Sequence, residues 1–261
     1  MDILTLIFIA IIGLIFGSFM NVLIVRVPAS SSIVFPGSKC MECGSPIKFY
    51  DNIPVISYLI LRGKCRSCKS KIPIFYPITE ILTSLLFVFL YINFGINLIF
   101  LKLAIFIFLV LVISLTDIYT SFMEEFETGM IPLVYPFIGI IVALSFAIYE
   151  GRFIDSLAGM AAGYLVLFIP ATIYTIIRKK EGMGEGDFIL FAMIGGFTYV
   201  GSIPAILVLS SFFGLLAGII IVLLTKNKEF PIPFAPMLGA ASILYLFFKD
   251  ILDIYKIYGN M

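Results

Sequence analysis

The stretch MDILTLIFIAIIGLIFGSFMNVLIVRV, residues 1–27, decides the class of fold. Few polar side chains interrupt it, and its apolar run is about 20 residues, the length that crosses a hydrocarbon core of about 30 Å. No basic segment precedes the run, so it is expected to remain as a membrane helix rather than be cleaved as a signal peptide. The rest of the chain repeats the pattern. Of its 261 residues, 61% are apolar and 13% charged, with mean hydropathy +1.15. A soluble domain has about 45–50% apolar and about 25% charged residues. With the first run at 4–25, further runs at 76–93, 97–115, 130–149, 156–177, 187–200, 203–224 and 232–248 predict an all-α polytopic membrane protein of about eight transmembrane helices.

Lysine and arginine set the expected orientation. Between the first and second runs, residues 26–72 carry Arg26, Lys39, Lys48, Arg62, Lys64, Arg66, Lys69 and Lys71 against Glu42 and Asp51. Arg178, Lys179 and Lys180 precede the sixth run, and Lys226 and Lys228 follow the seventh. The other side offers Arg152, Lys249 and Lys256. The positive-inside bias then puts 26–72 in the cytoplasm and both termini outside, in a plasma or inner membrane. The loop at 117–129 is acidic (Glu124, Glu125, Glu127) yet falls on the cytoplasmic side, which the bias tolerates because acidic residues weigh little in it. Three segments are expected: a first helix over 1–25, a cytoplasmic loop domain over 26–72 and a membrane core over 73–261. No internal repeat or low-complexity tract stands out. The net charge of +1 gives no signal for nucleic acid, and the expected surroundings are membrane lipid.

The chain has no histidine. Ser-His-Asp and Cys-His chemistry are therefore excluded, and acid–base work falls to Asp, Glu, Lys, Tyr or Cys. All four cysteines lie in the basic loop, as KCMEC (Cys40, Cys43) and KCRSC (Cys65, Cys68). Two C-x2-C pairs 21 residues apart can close a tetrahedral metal site, and the neighbouring Lys39, Lys64 and Arg66 favour thiolate. Four thiolates leave no open position, so the metal, zinc by ligand type, would fold the loop and do no chemistry. A redox CxxC pair is the alternative. Alternation around 53–61 predicts short strands between the knuckles.

Three carboxylates sit within or at the edge of apolar runs: Glu80 near the start of the second, Asp117 at the end of the third and Asp187 at the start of the sixth. Such positions are costly and suggest function. Each has a plainer reading: Asp187 as a helix N-cap, Asp117 as a solvated residue past a helix end, Glu80 as a cap or a partner of a loop lysine. Taken together, Asp117 and Asp187 fall at the same cytoplasmic depth. Facing carboxylates cannot both ionise, so they share a proton; one then activates a water while the other polarises a carbonyl. Gly184 and Gly186 of the GEGD stretch would let the backbone turn sharply and approach a substrate strand without a Cβ in the way.

These motifs occur in a familiar order. GSFMNVLIVRVP, CMEC and CRSC, DNIPVISYLILRGKC, IFYPITE, GEGD and PIPFAPMLGA together resemble the bacterial type IV prepilin peptidases, membrane aspartyl proteases of the GxGD class. The likeness covers residues 10–90 closely and continues in pieces to about 240. It implies an enzyme that cuts the basic leader of prepilins and pseudopilins, then methylates the new N-terminal amine with S-adenosylmethionine. By position it makes Asp117 and Asp187 the catalytic pair and Cys40, Cys43, Cys65 and Cys68 the zinc ligands. Glu80 falls on the YPxxE motif. Three departures stand out. The Ile-Pro after Asp117 comes late, at Ile131-Pro132; Ile189 stands where lysine is common; and PFAP replaces PFGP. The alternatives are a GxGD protease for preflagellin or other membrane proteins without methyltransferase activity, and a transporter, which would place its carboxylates near the bilayer midplane.

Overall fold

A computed structural model of the protein describes residues 2–123, 131–180, 182–225 and 233–258, and the acidic stretch with Glu124, Glu125 and Glu127 lies outside these. The described residues are mostly helical, with no strand among them. Each of the eight apolar runs becomes a helix: α1 (Ile3–Arg26), α3 (Phe75–Phe94), α4 (Leu98–Ser121), α5 (Val134–Tyr149), α6 (Phe153–Arg178), α7 (Glu185–Thr198), α8 (Ile203–Thr225) and α9 (Ala235–Tyr258). A short helix, α2 (Ile56–Ile60), lies in the loop. Five of the long helices, α1, α3, α4, α6 and α8, are long and apolar enough to cross a membrane. The chain divides into two compact units, 1–108 and 109–261, the division falling inside α4.

In the first unit α1 packs along α3. Asp2 caps α1 by accepting from the Leu4 N–H. A stripe with Ile9, Gly13, Gly17, Met20 and Ile24 is buried. At Gly17 an added Cβ would sit 2.5 Å from the Glu80 Cα, so the two backbones meet there without side chains between them. Polar contacts replace missing solvent at this crossing: Thr79 Oγ1 donates to Asn21 Oδ1 at 2.7 Å, and Asn21 Nδ2 donates to the Tyr76 carbonyl at 3.2 Å.

The strands predicted at 53–61 do not form. Residues 56–60 are α2, and pairing in the loop is limited to two isolated bridges, Lys39 with Pro46 and Lys64 with Lys71. Nine residues are too few to separate a period of 2 from one of 3.6. The bridges matter nonetheless, because each closes one cysteine knuckle.

In the second unit α7 is the inner helix. From Asp187 to Thr198 every residue except Ile189 is buried, against α5, α6 and α9. Small residues permit this. An alanine methyl at Gly159 of α6 or at Gly195 of α7 would collide with the other's carbonyl oxygen, and Ser156 Oγ donates to the Gly196 carbonyl at 2.9 Å. With 14 residues, α7 spans about 21 Å, short of the bilayer core; a short polar-ended helix is tolerated at membrane depth when protein surrounds it.

Candidate functional site

Asp117 and Asp187 both belong to the second unit. Asp117 is 5% exposed. The helix does not end where the apolar run suggested. α4 continues to Ser121, so Asp117 lies inside its last turns among buried Ser114, Thr116 and Thr120. Thr120 Oγ1 returns to the Thr116 carbonyl at 2.9 Å, a local bond that lets a polar turn stay helical away from water. Facing the Asp117 carboxylate is the backbone N–H of Ala235, the first residue of α9. Nearby, Ser114 Oγ donates to the Ala235 carbonyl at 3.2 Å, joining α4 to the start of α9. The N–H groups of a helix's first turn have no partner within the helix and favour an anion.

Asp187 is 9% exposed and stands at the third position of α7. It is not the N-cap. That position is Gly184, which makes no side-chain capping bond, and the Asp187 N–H instead donates to the Gly184 carbonyl at 3.2 Å. The Asp187 carboxylate lies within electrostatic reach of Asp117. Its Oδ1 is buried with no hydrogen-bond partner among the described residues, as is the Thr116 hydroxyl. Buried polar atoms are almost always paired, so an orphaned carboxylate oxygen beside a second carboxylate makes this pair the candidate site. The plainer readings, a cap and a solvated residue past a helix end, do not fit this geometry.

The two glycines take different parts from those expected. Gly184 is extended, with φ −73° and ψ 147°, so it does not use the left-handed region. Gly186 is inside α7, where an added Cβ would lie 2.8 Å from the Ile131 Cβ. The close neighbour is thus the late Ile-Pro segment of this chain. Sequence reasoning missed Ile131, Thr116 and the Ala235 N–H. The first carried a signal in its Ile-Pro pair; a backbone N–H carries none.

The first unit holds the four cysteines. They are free, and their sulfurs all lie within 4.8 Å of one another, with Cys40 Sγ to Cys68 Sγ at 3.8 Å. Tetrahedral zinc with bonds of about 2.3 Å separates its sulfurs by about 3.8 Å. The residues therefore fit a metal ion, and the spacing is far too long for a disulfide. The two knuckles repeat one another. Cys40 N–H donates to the Ser45 carbonyl and Cys65 N–H to the Ser70 carbonyl, at 2.9 and 2.8 Å. Gly44 and Lys69 take matching positive φ values of 68° and 62°. Ser45 Oγ lies 3.0 Å from Cys43 Sγ, as Ser70 Oγ does from Cys68 Sγ. Backbone N–H groups of the first knuckle and the Ser70 hydroxyl hold the Cys40 thiol low, at about 6, ready as thiolate. Arg66 grips Asp51 through two bonds at 2.6 and 2.7 Å, tying the second knuckle to the linking segment.

Glu80 belongs to the first unit and joins neither group. It neither caps α3 nor pairs with a loop lysine in the described contacts. Only 7% exposed, it accepts from the Val55 N–H at 2.7 Å and meets the Ser18 hydroxyl.

Comparison with known proteins gives two matching family models. The Bacterial Peptidase A24 N-terminal domain matches residues 11–94, and the Type IV leader peptidase family matches residues 104–219. Proteins named prepilin leader peptidase/N-methyltransferase are similar over most of their length. The one from Neisseria gonorrhoeae is 33% identical over 89% of this chain and 87% of its own. The one from Bacillus subtilis (strain 168) is 35% identical over 94% of this chain and 95% of its own. The one from Pseudomonas aeruginosa is 33% identical over 92% and 89%. No solved structure matches.

Proposed function

Because the chain belongs to the type IV leader peptidase family, we propose that it removes the basic leader of prepilins and pseudopilins and then methylates the new N-terminal amine. The observation that carries the peptidase half is the buried, unpartnered Asp187 Oδ1 beside Asp117. Two carboxylates in this setting hold one proton between them. The ionised one takes a proton from water as that water's oxygen bonds to the scissile carbonyl carbon. The protonated one donates to the carbonyl oxygen. Collapse of the tetrahedral carbon breaks the C–N bond, and the departing amine takes up a proton from the pair. The Ala235 N–H faces the Asp117 carboxylate and would hold one of its oxygens in place during the reaction.

Methylation moves a methyl group from a sulfonium donor, S-adenosylmethionine, to the unprotonated amine. A thioether leaves and one amine proton passes to solvent. Cys40, Cys43, Cys65 and Cys68 would hold zinc, which closes the loop and takes no part in either reaction. The lysines and arginines of the loop favour a cytoplasmic active face, where the basic leaders lie.

The test is mass spectrometry of a prepilin incubated with purified enzyme in detergent, with and without S-adenosylmethionine. The expected product has lost its leader and gained one methyl at the new N-terminus only when the donor is present. Leader loss alone would withdraw the methyl transfer. An uncut prepilin that a known peptidase does cut would withdraw the whole reading.

A further inference from the structure

The dyad leaves a third buried carboxylate, Glu80, unused. Glu80, inside a membrane helix, is costly to keep there. It lines a cavity of about 1000 Å³ contained in the first unit, with Asn21 and Val22 of α1, Tyr58 of α2 and Tyr76 of α3 also on its wall. Above the carboxylate the backbone is strained. Val55 has φ 59° and ψ −48°, and the Ile56 N–H donates back to the Pro54 carbonyl at 2.6 Å. That is a γ-turn of the rare positive-φ kind, at a β-branched residue that resists it. The turn is braced from both sides by Ser57, whose Oγ receives the Ile53 N–H and donates to the Tyr50 carbonyl, both at 3.0 Å. The result aims the Val55 N–H at Glu80 Oε2. Below it, the Asn21–Thr79–Tyr76 bonds fix the helix wall. Strain held this firmly around a buried charge is a mark of a prepared site.

We infer that this cavity binds the methyl donor, with Glu80 facing its positive charge. The inference rests on the methyl-transfer reading above. The cavity also takes in the loop face beside Cys40 and Cys65, with Arg26, Lys39, Lys48 and Arg66 on its wall, and it has room for a nucleoside carrying an amino-acid tail whose carboxylate those cations suit. The donor carries a sulfonium and an ammonium group, and a carboxylate kept from water attracts such cations strongly. Tyr58 and Tyr76 offer aromatic faces, which suit both a purine and a cation. The mature pilin's own N-terminal amine is the competing occupant. A pilin N-terminus continues into a long chain, and it would leave much of a nucleoside-sized cavity unfilled.

The experiment is ultraviolet cross-linking of labelled S-adenosylmethionine to the full-length enzyme in detergent, mapped by peptide mass spectrometry and paired with equilibrium dialysis of the donor. Label is expected on peptides covering 50–61 or 72–80. Glu80→Gln is expected to weaken donor binding by about tenfold or more. Val22→Phe, which fills the cavity without touching a polar group, is expected to do the same. Metal content per chain checks that the loop is folded; if Glu80→Gln loses its metal, Val22→Phe decides. Label confined to 109–261, donor binding unchanged in Val22→Phe, or cross-linking by a cleaved pilin N-terminus at 72–80 in place of the donor would each overturn the assignment while leaving methyl transfer standing. A wild-type enzyme that cuts prepilin yet neither binds nor uses the donor would overturn both.

Discussion

The cysteine cluster and the aspartate pair gather ligating groups in opposite ways. The four sulfurs stand in a half-exposed to exposed loop, those of Cys40, Cys43 and Cys68 each beside a serine hydroxyl, and together they could complete a metal's coordination shell. The two carboxylates are buried among helices, and one of their oxygens has no partner among the described residues. A saturated cluster holds a fold together. An unsaturated one, kept from water, has bonding capacity left for a substrate. The same contrast explains why the loop relies on local turns while the pair relies on α4, α7 and α9, elements far apart in sequence.

The sharpest way to break this contrast is to remove one acid. Asp117→Asn or Asp187→Asn is expected to slow prepilin cleavage by at least about a thousandfold, while the melting temperature in detergent holds or rises because a buried charge is gone. Cleavage within tenfold of wild type would remove the pair from the mechanism. Next in size is the cluster. Cys43→Ser or Cys65→Ser is expected to lower metal affinity by more than about a hundredfold and open the loop to limited proteolysis, with cleavage falling far less than in the aspartate variants. Elemental analysis and a protease time course check this.

A smaller effect is expected at the glycine beside the acid. The methyl of Gly186→Ala must displace Ile131, a local cost of about 1–3 kcal/mol, and the resulting shift of Asp187 should slow cleavage about 10- to 100-fold. Adding Ile131→Ala should restore most of the rate, a rescue that a glycine needed only for substrate approach would not show. The smallest effect belongs to the Arg66–Asp51 pair, whose arginine is half exposed. Asp51→Asn removes the Arg66 partner, yet metal content should not change and the melting temperature should move by no more than about two degrees.

The helices were legible because lipid demands long apolar runs, and the eight runs coincide with helices to within a few residues at most ends. The departures are informative. The third run was read as ending at residue 115, because Thr116, Asp117 and Thr120 look like a solvated exit. They are buried by protein, and the helix goes on to Ser121. The loop was misread as strands because nine residues cannot separate the two periods, and the bonds that hold the turn at Val55 include one to Glu80, 25 positions away. The cysteine spacing, by contrast, spoke for itself, since each knuckle is closed by its own backbone. Least legible were contacts made by main-chain groups. Nothing in a sequence announces that the N–H of Ala235 will face Asp117.

The shortness of α7 has a consequence for how the protein is made. Segments enter a bilayer according to their own transfer free energies, and α7 has 14 residues with Glu185 and Asp187 in its first turn. Such a segment is too short and too polar to be committed to lipid alone. Its shelter comes from α5, α6 and α9, which pack around it. As α7 is made, Asp117 still lacks the start of α9, which follows α8 in the chain. On the dyad reading, the proposed site stays incomplete until the segment that carries Ala235 has been inserted and docked.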